Sequence, residues 1–292
     1  MTIAAYIGVL DEAGLIGPCI DHLRSIGVSK FIVCDMGSTD GTAEILRREE
    51  GPDFHILWSS NEEAGADWLR RNSEAVAASA ASWVVLMDAD EFPLPASGDL
   101  GHALAEVEAD VVRVPRYNVV QGPSGLHMPL PPAPDRYDAV ELYVENDPEF
   151  RQKLAVDPAL YWLRFVPKPK LVIRPRVLRQ LIYGMHDIIP RDGMTVRRTA
   201  ATNIVTAHVA LTDYDRFARK LDHVRDVYRL HKGQLPPNFA WHWRRWLDLA
   251  ERGELRAEYD RSILSPAGIA ALRADGTIRT AAQILDGHNG RC

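Results

Sequence analysis

Two acidic stretches directly follow apolar runs, and one of them has the residue types and spacing to bind a divalent cation. The first is DADE at positions 88–91, directly after the apolar run WVVLM. The second begins at Asp35, directly after the apolar run KFIVC. Carboxylate oxygens are the ligands that Mg²⁺ prefers, and a bound Mg²⁺ keeps open positions for substrate phosphates. If the backbone of DADE is extended, Asp88 and Asp90 point to the same side and could share one ion.

Apolar runs and helical patterns alternate through the first third of the chain and predict where these acids lie. Strands are predicted at IAAYIGVL, KFIVCD, FHILW and WVVLMD, with helices at LIGPCIDHLRSIG, GTAEILRREEG and ADWLRRNSEAVAASAA. This alternation predicts an α/β protein with a Rossmann-like, mostly parallel central sheet flanked by helices. Asp35 and Asp88 then end two strands of one sheet, at the edge where open α/β sheets bind ligands.

Beyond Pro93 the pattern is less regular. It predicts a helix over 98–108, strands at VVRVPRY and KLVIRP, and a helix after Thr212. The stretch 121–134, rich in Pro and Gly, is predicted to be a loop and is a candidate lid. Three tryptophans, Trp241, Trp243 and Trp246, predict a late helix that packs on the body of the protein.

Composition and charge limit the classes of partner. The chain has 46% hydrophobic and 25% charged residues, which is typical of a globular domain, and its net charge of −6 argues against nucleic acid as a partner. The start of the chain lacks a signal-peptide pattern, and no apolar run approaches the ~20 residues of a membrane span. We therefore expect a cytoplasmic protein without a transmembrane segment. Its cysteines, Cys19, Cys34 and Cys292, predict neither a disulfide framework nor a zinc site.

The segments DEAGLIGPCIDHLRSIGVSKFIVCDMGSTDGTAEIL and RRNSEAVAASAASWVVLMDADEF, in this order, resemble the glycosyltransferases of family 2. The DADEF ending resembles a subgroup of that family with a DxDE motif. The resemblance implies a nucleotide-sugar-binding fold of GT-A type, formed by residues 1–292 as a single domain. Within it we expect a donor half at 1–115, an acceptor half at 116–210 and a helical C-terminal segment at 211–292.

The resemblance also implies roles for residues of the donor half. It places Asp35 at the base of the donor, and Asp88 and Asp90 at the ribose and at the ion, Mn²⁺ or Mg²⁺, that bridges the diphosphate. Glu12 matches the second residue of the family's Asn-Glu pair, although Asp11 replaces the asparagine.

Arg71 matches a family arginine that precedes the DxD strand, although Ala75 replaces the glycine of that motif. The resemblance implies that Glu12 and Arg71 contact the donor substrate.

The acceptor half must supply a further metal ligand and a catalytic base. Proteins of this fold often use a histidine from the C-terminal part as a metal ligand, and His208 matches by position. Lys170 and His186 are predicted to contact the substrate. An inverting transfer needs a base that takes the proton of the acceptor hydroxyl. We predict Asp187 for this role, and the alternatives are Asp135, Asp138 and Glu141.

The predicted function is metal-dependent, inverting transfer of a sugar from a UDP- or GDP-sugar to a hydroxyl acceptor. The acceptor could be a glycan or lipid-linked, and the resemblance suggests polysaccharide biosynthesis. A divalent ion would stabilise the nucleoside diphosphate that leaves. One alternative is a noncatalytic nucleotide-sugar-binding protein, because no motif places the base securely.

Two further enzyme classes compete with this interpretation. A sugar nucleotidylyltransferase would need a Gly-rich loop with Arg after the first strand, and a haloacid-dehalogenase-like phosphatase would need a DxD motif there. The sequence GVLDEAGLIG has neither. The acidic stretches also have an ordinary structural interpretation, as a turn before a helix and a solvated strand end.

Overall fold

The structure of the protein is a computed structural model that describes residues 1–60, 66–145, 147–157, 159–230 and 241–289. The strands are β1 (Ile3–Val9), β2 (Lys30–Asp35), β3 (Phe54–Trp58), β4 (Trp83–Asp88), β5 (Glu91–Pro95), β6 (Val111–Val114), β7 (Arg116–Asn118), β8 (Gln121–Gly122), β9 (Gly125–Leu126), β10 (Glu141–Tyr143), β11 (Lys170–Ile173), β12 (Leu178–Leu181), β13 (Ile188–Pro190), β14 (Arg198–Ala200), β15 (Ile204–His208) and β16 (Ile278–Thr280). The helices are α1 (Ala13–Ser25), α2 (Thr42–Glu49), α3 (Ala66–Ala77), α4 (Leu100–Leu104), α5 (Phe150–Val156), α6 (Tyr214–Leu230), α7 (Trp241–Glu251), α8 (Leu255–Arg261), α9 (Pro266–Ala274) and α10 (Ala281–Asn289).

The central sheet has seven strands in the order β14-β6-β11-β4-β1-β2-β3. Strands β4, β1, β2 and β3 run parallel, and β11 is antiparallel to both of its neighbours. The predicted α/β fold with a mostly parallel sheet is confirmed. In the register of this sheet, Gly8 lies opposite Asp88 and Val9 lies opposite Asp35. Both acids therefore lie at one edge of the sheet, on either side of the end of β1.

The apolar strands are buried on both faces of the sheet. Ile3, Ala5 and Ile7 of β1 pack in the core that includes the apolar face of α1, whereas Ala4 and Tyr6 pack in the core that includes α3. Successive side chains of a strand point to opposite faces. A strand covered on both sides therefore needs an uninterrupted apolar run, which is the pattern that predicted β1, β2 and β4.

A small three-stranded sheet extends the DADE end of β4 toward the acceptor half. Its order is β5-β15-β7, and β15 is antiparallel to β5 and parallel to β7. The register places His208 opposite Glu91 on one side and opposite Asn118 on the other. Pairing within this second sheet therefore places His208 beside DADE, although more than a hundred residues of sequence separate them.

Three predicted elements differ from the structure. The helix predicted over 98–108 is limited to α4, and the side chain of Asp99 caps its start by accepting the His102 N–H at 2.7 Å. The predicted strand VVRVPRY divides into β6 and β7, which belong to different sheets, because Pro115 between them has no N–H for a ladder.

The stretch 121–134, predicted to be a loop, contains the short hairpin β8-β9. Hydrogen bonds near its start and near its end connect this stretch to the rest of the protein. Leu264 N–H donates to the Gln121 carbonyl at 3.0 Å, and His22 Nδ1 lies 2.9 Å from the Pro132 carbonyl oxygen. Its role as a lid stays a prediction.

In the described parts of the C-terminal segment, 211–230 and 241–289, helices predominate, as predicted, and β16 pairs with β10. Trp246 of α7 is 3% exposed and packs edge-on against Trp162 and Phe217. This burial confirms the predicted packing of the tryptophan helix. The division into donor half, acceptor half and C-terminal segment stays a prediction. Among the residues that the structure describes, no helix is long and apolar enough to cross a membrane.

Candidate active site

Asp35 ends β2 and its side chain is almost wholly buried, with the residue 1% exposed. Its Oδ1 accepts the backbone N–H of Gly37 at 3.1 Å and of Ser38 at 2.9 Å. These bonds hold the chain in a turn, and Gly37 has a φ of +93°, a value that favours glycine. Because β1 separates Asp35 from Asp88, the two acids lie about 10 Å apart, at two strand spacings.

Lys170 contacts Asp88, which brings together two residues predicted for the site. Its Nζ lies 2.7 Å from Asp88 Oδ2, 3.1 Å from the Gly184 carbonyl oxygen and 3.4 Å from Glu91 Oε2. The lysine lies at the start of β11, next to β4, and is 3% exposed. The carboxylate of Asp88 is 42% exposed, so it can also face a ligand.

The backbone of DADE is not extended, which separates the directions of Asp88 and Asp90. Ala89 and Asp90 form a turn between β4 and β5. The Asp90 carbonyl accepts the Val209 N–H at 2.8 Å, and Glu91 Oε2 accepts the Asp88 N–H at 2.9 Å. Asp90 and Glu91 are therefore the two acids that approach His208. One carboxylate oxygen of each and a nitrogen of His208 lie within 4.8 Å of one another.

His208 is oriented so that an unprotonated nitrogen faces Asp90. Burial lowers the pKa of His208 well below its usual value, so the ring is neutral at pH 7. The Asn118 amide donates to the carbonyls of Leu163 and Phe165, so its Oδ1 accepts the Nδ1–H of His208 at 2.7 Å. The other nitrogen, Nε2, then carries a lone pair and lies 3.7 Å from Asp90 Oδ1.

A cation fits between His208 and Asp90, because two acceptors face each other there without a proton to share. Two carboxylates and one imidazole are ligands that Mn²⁺ or Mg²⁺ can use. Asn118 orients the histidine from behind, as the outer partners of metal ligands commonly do. Asp90, Glu91 and His208 are thus the residues that would hold a divalent ion.

Two cations from α6 already contact the acids of this site. Arg216 donates from Nε and Nη2 to the two oxygens of Glu12, at 2.6 and 2.7 Å, and from Nη2 to Asp90 Oδ2 at 3.1 Å. Lys220 Nζ lies 2.5 Å from the same oxygen of Asp90. Burial opposes ionisation of Asp90, but the positive charges beside it, that of Lys220 most of all, outweigh burial and hold the pKa of Asp90 well below its usual value.

A second set of cations contacts Glu91, which is 0% exposed. Arg116 donates to Glu91 Oε1, and Lys170 approaches Oε2. Burial raises the pKa of Glu91, and the charges of Lys170 and Arg116 oppose that shift. Among the described residues, the acids Glu12, Asp88, Asp90 and Glu91 are matched by four basic side chains, those of Arg116, Lys170, Arg216 and Lys220.

Sequence analysis missed Arg216 and Lys220, although one local signal was available. The two residues are spaced i and i+4 on α6, next to Phe217 and Leu221, which are buried. Residues with this spacing lie on one side of a helix. When two basic residues lie beside the buried apolar side of a helix, they indicate cations that contact acidic side chains elsewhere in the protein.

Asp11 has the left-handed backbone conformation, with a φ of +52°. Asparagine and aspartate tolerate this conformation better than other residues, so aspartate can replace the family's asparagine here. Its Oδ1 accepts the Thr39 N–H at 2.6 Å, and its Oδ2 lies 2.9 Å from His223 Nε2 of α6. Asp11 therefore connects the loop after β2 to the C-terminal segment.

Arg71 and His186, both predicted to contact the substrate, lie beside different strands of the site. Arg71 lies on α3, which packs against β2. His186 Nδ1 donates to the Pro169 carbonyl at 3.0 Å. Burial, with the charges of Lys170 and Arg116, lowers the pKa of His186 to about 4. This histidine is therefore neutral at pH 7.

Asp187, the predicted base, lies next to His186 but is paired with arginines. Arg198 Nη1 donates to its Oδ1 at 2.8 Å, and Arg113 Nη2 lies 3.9 Å from its Oδ2. The Ile188 N–H donates to Oδ1 as well. Asp187 could act as a base only after Arg198 moves away, and its role stays a prediction.

The alternative bases are less well placed. Glu141 accepts two bonds from Arg273, at 2.6 and 2.7 Å, and one from His127. Burial opposes its ionisation, but these bonds outweigh burial and lower the pKa of Glu141. Asp135 and Asp138 are exposed on a 3₁₀ segment whose Pro134 packs against Gly98, beyond the end of β5 that is far from the site.

A model of glycosyl transferase family 2 matches residues 5–158, more than half of the 292-residue chain. A comparison with curated proteins finds no match. Among solved structures, the chain is similar to S. aureus TarS 1-349, at 12% identity and a TM-score of 0.39, over 81% of this chain and 67% of that one. It is also similar to glucosyl-3-phosphoglycerate synthase from Mycobacterium tuberculosis, at 16% identity and a TM-score of 0.39, over 81% of each chain.

The family match covers the parts of the chain that form the acidic edge of the sheet. Residues 5–158 include β1 from its third residue, β2 to β4, the turn at Ala89 and Asp90, and Asp35 at the end of β2. This match favours glycosyl transfer over the other enzyme classes considered from the sequence. The chain belongs to glycosyl transferase family 2 and is a glycosyltransferase with the GT-A fold.

Proposed function

We propose that this glycosyltransferase moves a sugar from a UDP- or GDP-sugar to a hydroxyl acceptor, with inversion at the anomeric carbon, and that it uses Mn²⁺ or Mg²⁺. One observation carries the proposal. Nε2 of His208 lies 3.7 Å from Asp90 Oδ1, at the sheet edge where β2 and β4 end in Asp35 and Asp88. A pair of facing acceptors at the ligand-binding edge of an α/β sheet supports a site for a cation and the phosphates it binds.

Each acid of the edge has a distinct role in this proposal. Asp35 binds the base of the donor, at the end of β2. Asp88 binds the ribose, since its carboxylate is partly exposed beside β1. Asp90, Glu91 and His208 hold the divalent ion, which when bound supplies positive charge that stabilises the leaving diphosphate.

Lys170, His186 and Arg71 surround the same edge and complete the donor site in our proposal. Lys170 is buried with its Nζ at Asp88, so its charge lies where the donor phosphates would approach. His186 is neutral and donates from Nδ1, which leaves Nε2 as an acceptor for a substrate hydroxyl. Glu12 has both oxygens bound to Arg216, and we infer that it contacts the donor through the remaining lone pairs of its carboxylate while that pairing is kept.

In an inverting transfer the acceptor oxygen attacks the anomeric carbon from the face opposite the diphosphate. A new C–O bond forms as the bond to the diphosphate breaks, and a base takes the hydroxyl proton. We assign that base to Asp187, which requires the guanidinium of Arg198 to move away when the acceptor binds.

Asp187→Asn is expected to lower kcat by roughly 10²–10⁴-fold, the usual contribution of a general base. The affinity for the donor nucleotide should stay within about twofold, because the amide keeps the size of the side chain. Kinetics of the variant would be compared with Asp192→Asn, an exposed aspartate that pairs with Arg179. A variant that keeps more than a tenth of the normal kcat would show that Asp187 is not the base.

The donor site is tested by calorimetric titration with UDP and GDP, each with and without Mn²⁺. We expect one nucleotide to bind, and to bind only with the ion, because the basic side chains of the site are already paired with its acids and leave little positive charge for a free diphosphate. Absence of binding by both nucleotides under all metal conditions would refute the proposed donor class. The acceptor class, a role in polysaccharide biosynthesis and a cytoplasmic location stay predictions.

A further inference from the structure

Helix α6 presents two cations to the acidic site, and they are held very differently. All three nitrogens of the Arg216 guanidinium have partners. Nε and Nη2 bond to Glu12, Nη2 also bonds to Asp90, and Nη1 donates to the carbonyls of Val209 and Ala210 at 3.4 and 3.2 Å. Arg216 is therefore fixed by side chains and by the backbone that precedes α6.

Lys220 is held by carboxylates and is partly open to solvent. Its Nζ lies 2.5 Å from Asp90 Oδ2 and 3.4 Å from Glu12 Oε1, and its side chain is 29% exposed. A lysine carries a compact charge on a flexible four-carbon stem. Its ammonium group can therefore leave Asp90 while the contacts of Arg216 keep α6 in place.

The position of Lys220 conflicts with a divalent ion. Lys220 takes one oxygen of Asp90, and the other oxygen of the same carboxylate faces His208. An ion between Asp90 and His208 would lie within a few ångströms of the ammonium group. In a buried site like charges at this distance repel strongly, because little solvent screens them. Lys220 and the ion therefore compete for one carboxylate.

We propose that Lys220 is the counter-ion of Asp90 in the ligand-free enzyme, that it gives way to the divalent ion, and that it then pairs with the diphosphate of the donor. The inference rests on the proposed function, since it needs the ion and the diphosphate at DADE. A released ammonium group on a partly exposed stem is attracted to an anion whose charge is not already paired. Glu12 Oε1 lies 3.4 Å from Lys220 Nζ but both oxygens of Glu12 stay paired with Arg216, so once the ion neutralises Asp90 that anion is the diphosphate.

The proposal predicts opposite effects of one substitution on two affinities. Lys220→Met should bind Mn²⁺ alone about tenfold more tightly than the unmodified enzyme, because the competing charge is gone. At saturating Mn²⁺ the same variant should bind UDP or GDP, whichever the unmodified enzyme binds, about tenfold more weakly. Loss of packing by itself would not move the two affinities in opposite directions.

Calorimetry of both equilibria would include two further variants. Arg225→Met removes a charge from the same helix, at a side chain that is 51% exposed, and should leave both affinities within about twofold. Lys220→Gln keeps a hydrogen-bond donor but removes the charge. It should show the same two changes as Lys220→Met, and it serves as the test if the methionine variant does not fold.

The outcomes separate this inference from the proposed function. If the unmodified enzyme binds neither Mn²⁺ nor a nucleotide, the proposed function fails. If it binds both, and removal of the Lys220 charge does not tighten Mn²⁺ binding, the proposed competition is overturned. Tighter Mn²⁺ binding with unchanged nucleotide affinity would overturn the proposed pairing of Lys220 with the diphosphate.

Discussion

Asp90→Asn is expected to abolish the Mn²⁺-dependent binding of UDP or GDP and to lower kcat/KM by at least about a hundredfold. Asp90 supplies the carboxylate oxygen that faces His208 Nε2, and an amide is a much poorer ligand for a divalent ion. Loss of one electrostatic contact to developing charge commonly costs 10²–10³-fold in rate. Calorimetry with and without Mn²⁺, and initial rates with the donor sugar, would measure the two effects.

The comparison needs a variant with the same chemical change away from the site. Asp192→Asn is suitable, because this carboxylate is 85% exposed and pairs with Arg179. It should leave nucleotide binding and turnover unchanged. If Asp90→Asn kept Mn²⁺-dependent binding while Asp88→Asn lost it, the ion would bind at Asp88, and Asp90 would serve only as the partner of Lys220 and Arg216.

Arg216→Met is expected to lower the free energy of unfolding by about 3–5 kcal/mol, the usual cost of removing one partner from a buried ion pair. The guanidinium is 8% exposed and bonds to the carboxylates of Glu12 and Asp90, which are buried as well. Without it, both carboxylates stay in the core with Lys220 as their shared cation. Urea unfolding at pH 7, without added metal, would measure the change.

Two further variants show whether the loss comes from uncompensated charge. Arg256→Met breaks a surface pair with Asp260, in which the side chains are 63% and 51% exposed, and should cost at most about 1 kcal/mol. Glu12→Gln combined with Arg216→Met removes one negative charge as well and should restore part of the stability. A loss for Arg216→Met as small as that of Arg256→Met would mean that the buried network does not stabilise the fold.

The donor side of the fold could be predicted because its signals are local. Strands β1, β2 and β4 are covered on both faces, so each is an unbroken apolar run that can be recognised without knowing its neighbours. Asp35 and Asp88 directly follow two of these runs. Since β1 to β4 form one parallel sheet, the order of the elements alone places both acids at its carboxyl edge.

Short-range patterns did not predict the conformation of DADE itself. Its turn depends on the Val209 N–H, which binds the carbonyl of Asp90, and on the side chain of Glu91. Val209 follows β15, whose position beside β5 is set by pairing between distant parts of the chain. Such pairing leaves no periodic signal near residue 88.

The sequence by itself determined the α/β class, the parallel core and the acids at its edge, because periodic burial and strand ends are properties of neighbouring residues. Only the tertiary structure decided which groups contact those acids. Arg216 contacts Asp90 across 126 residues, and His208 receives its orientation from Asn118 across 90 residues. Contacts over such separations depend on how helices and sheets pack, and packing is determined by the whole chain at once.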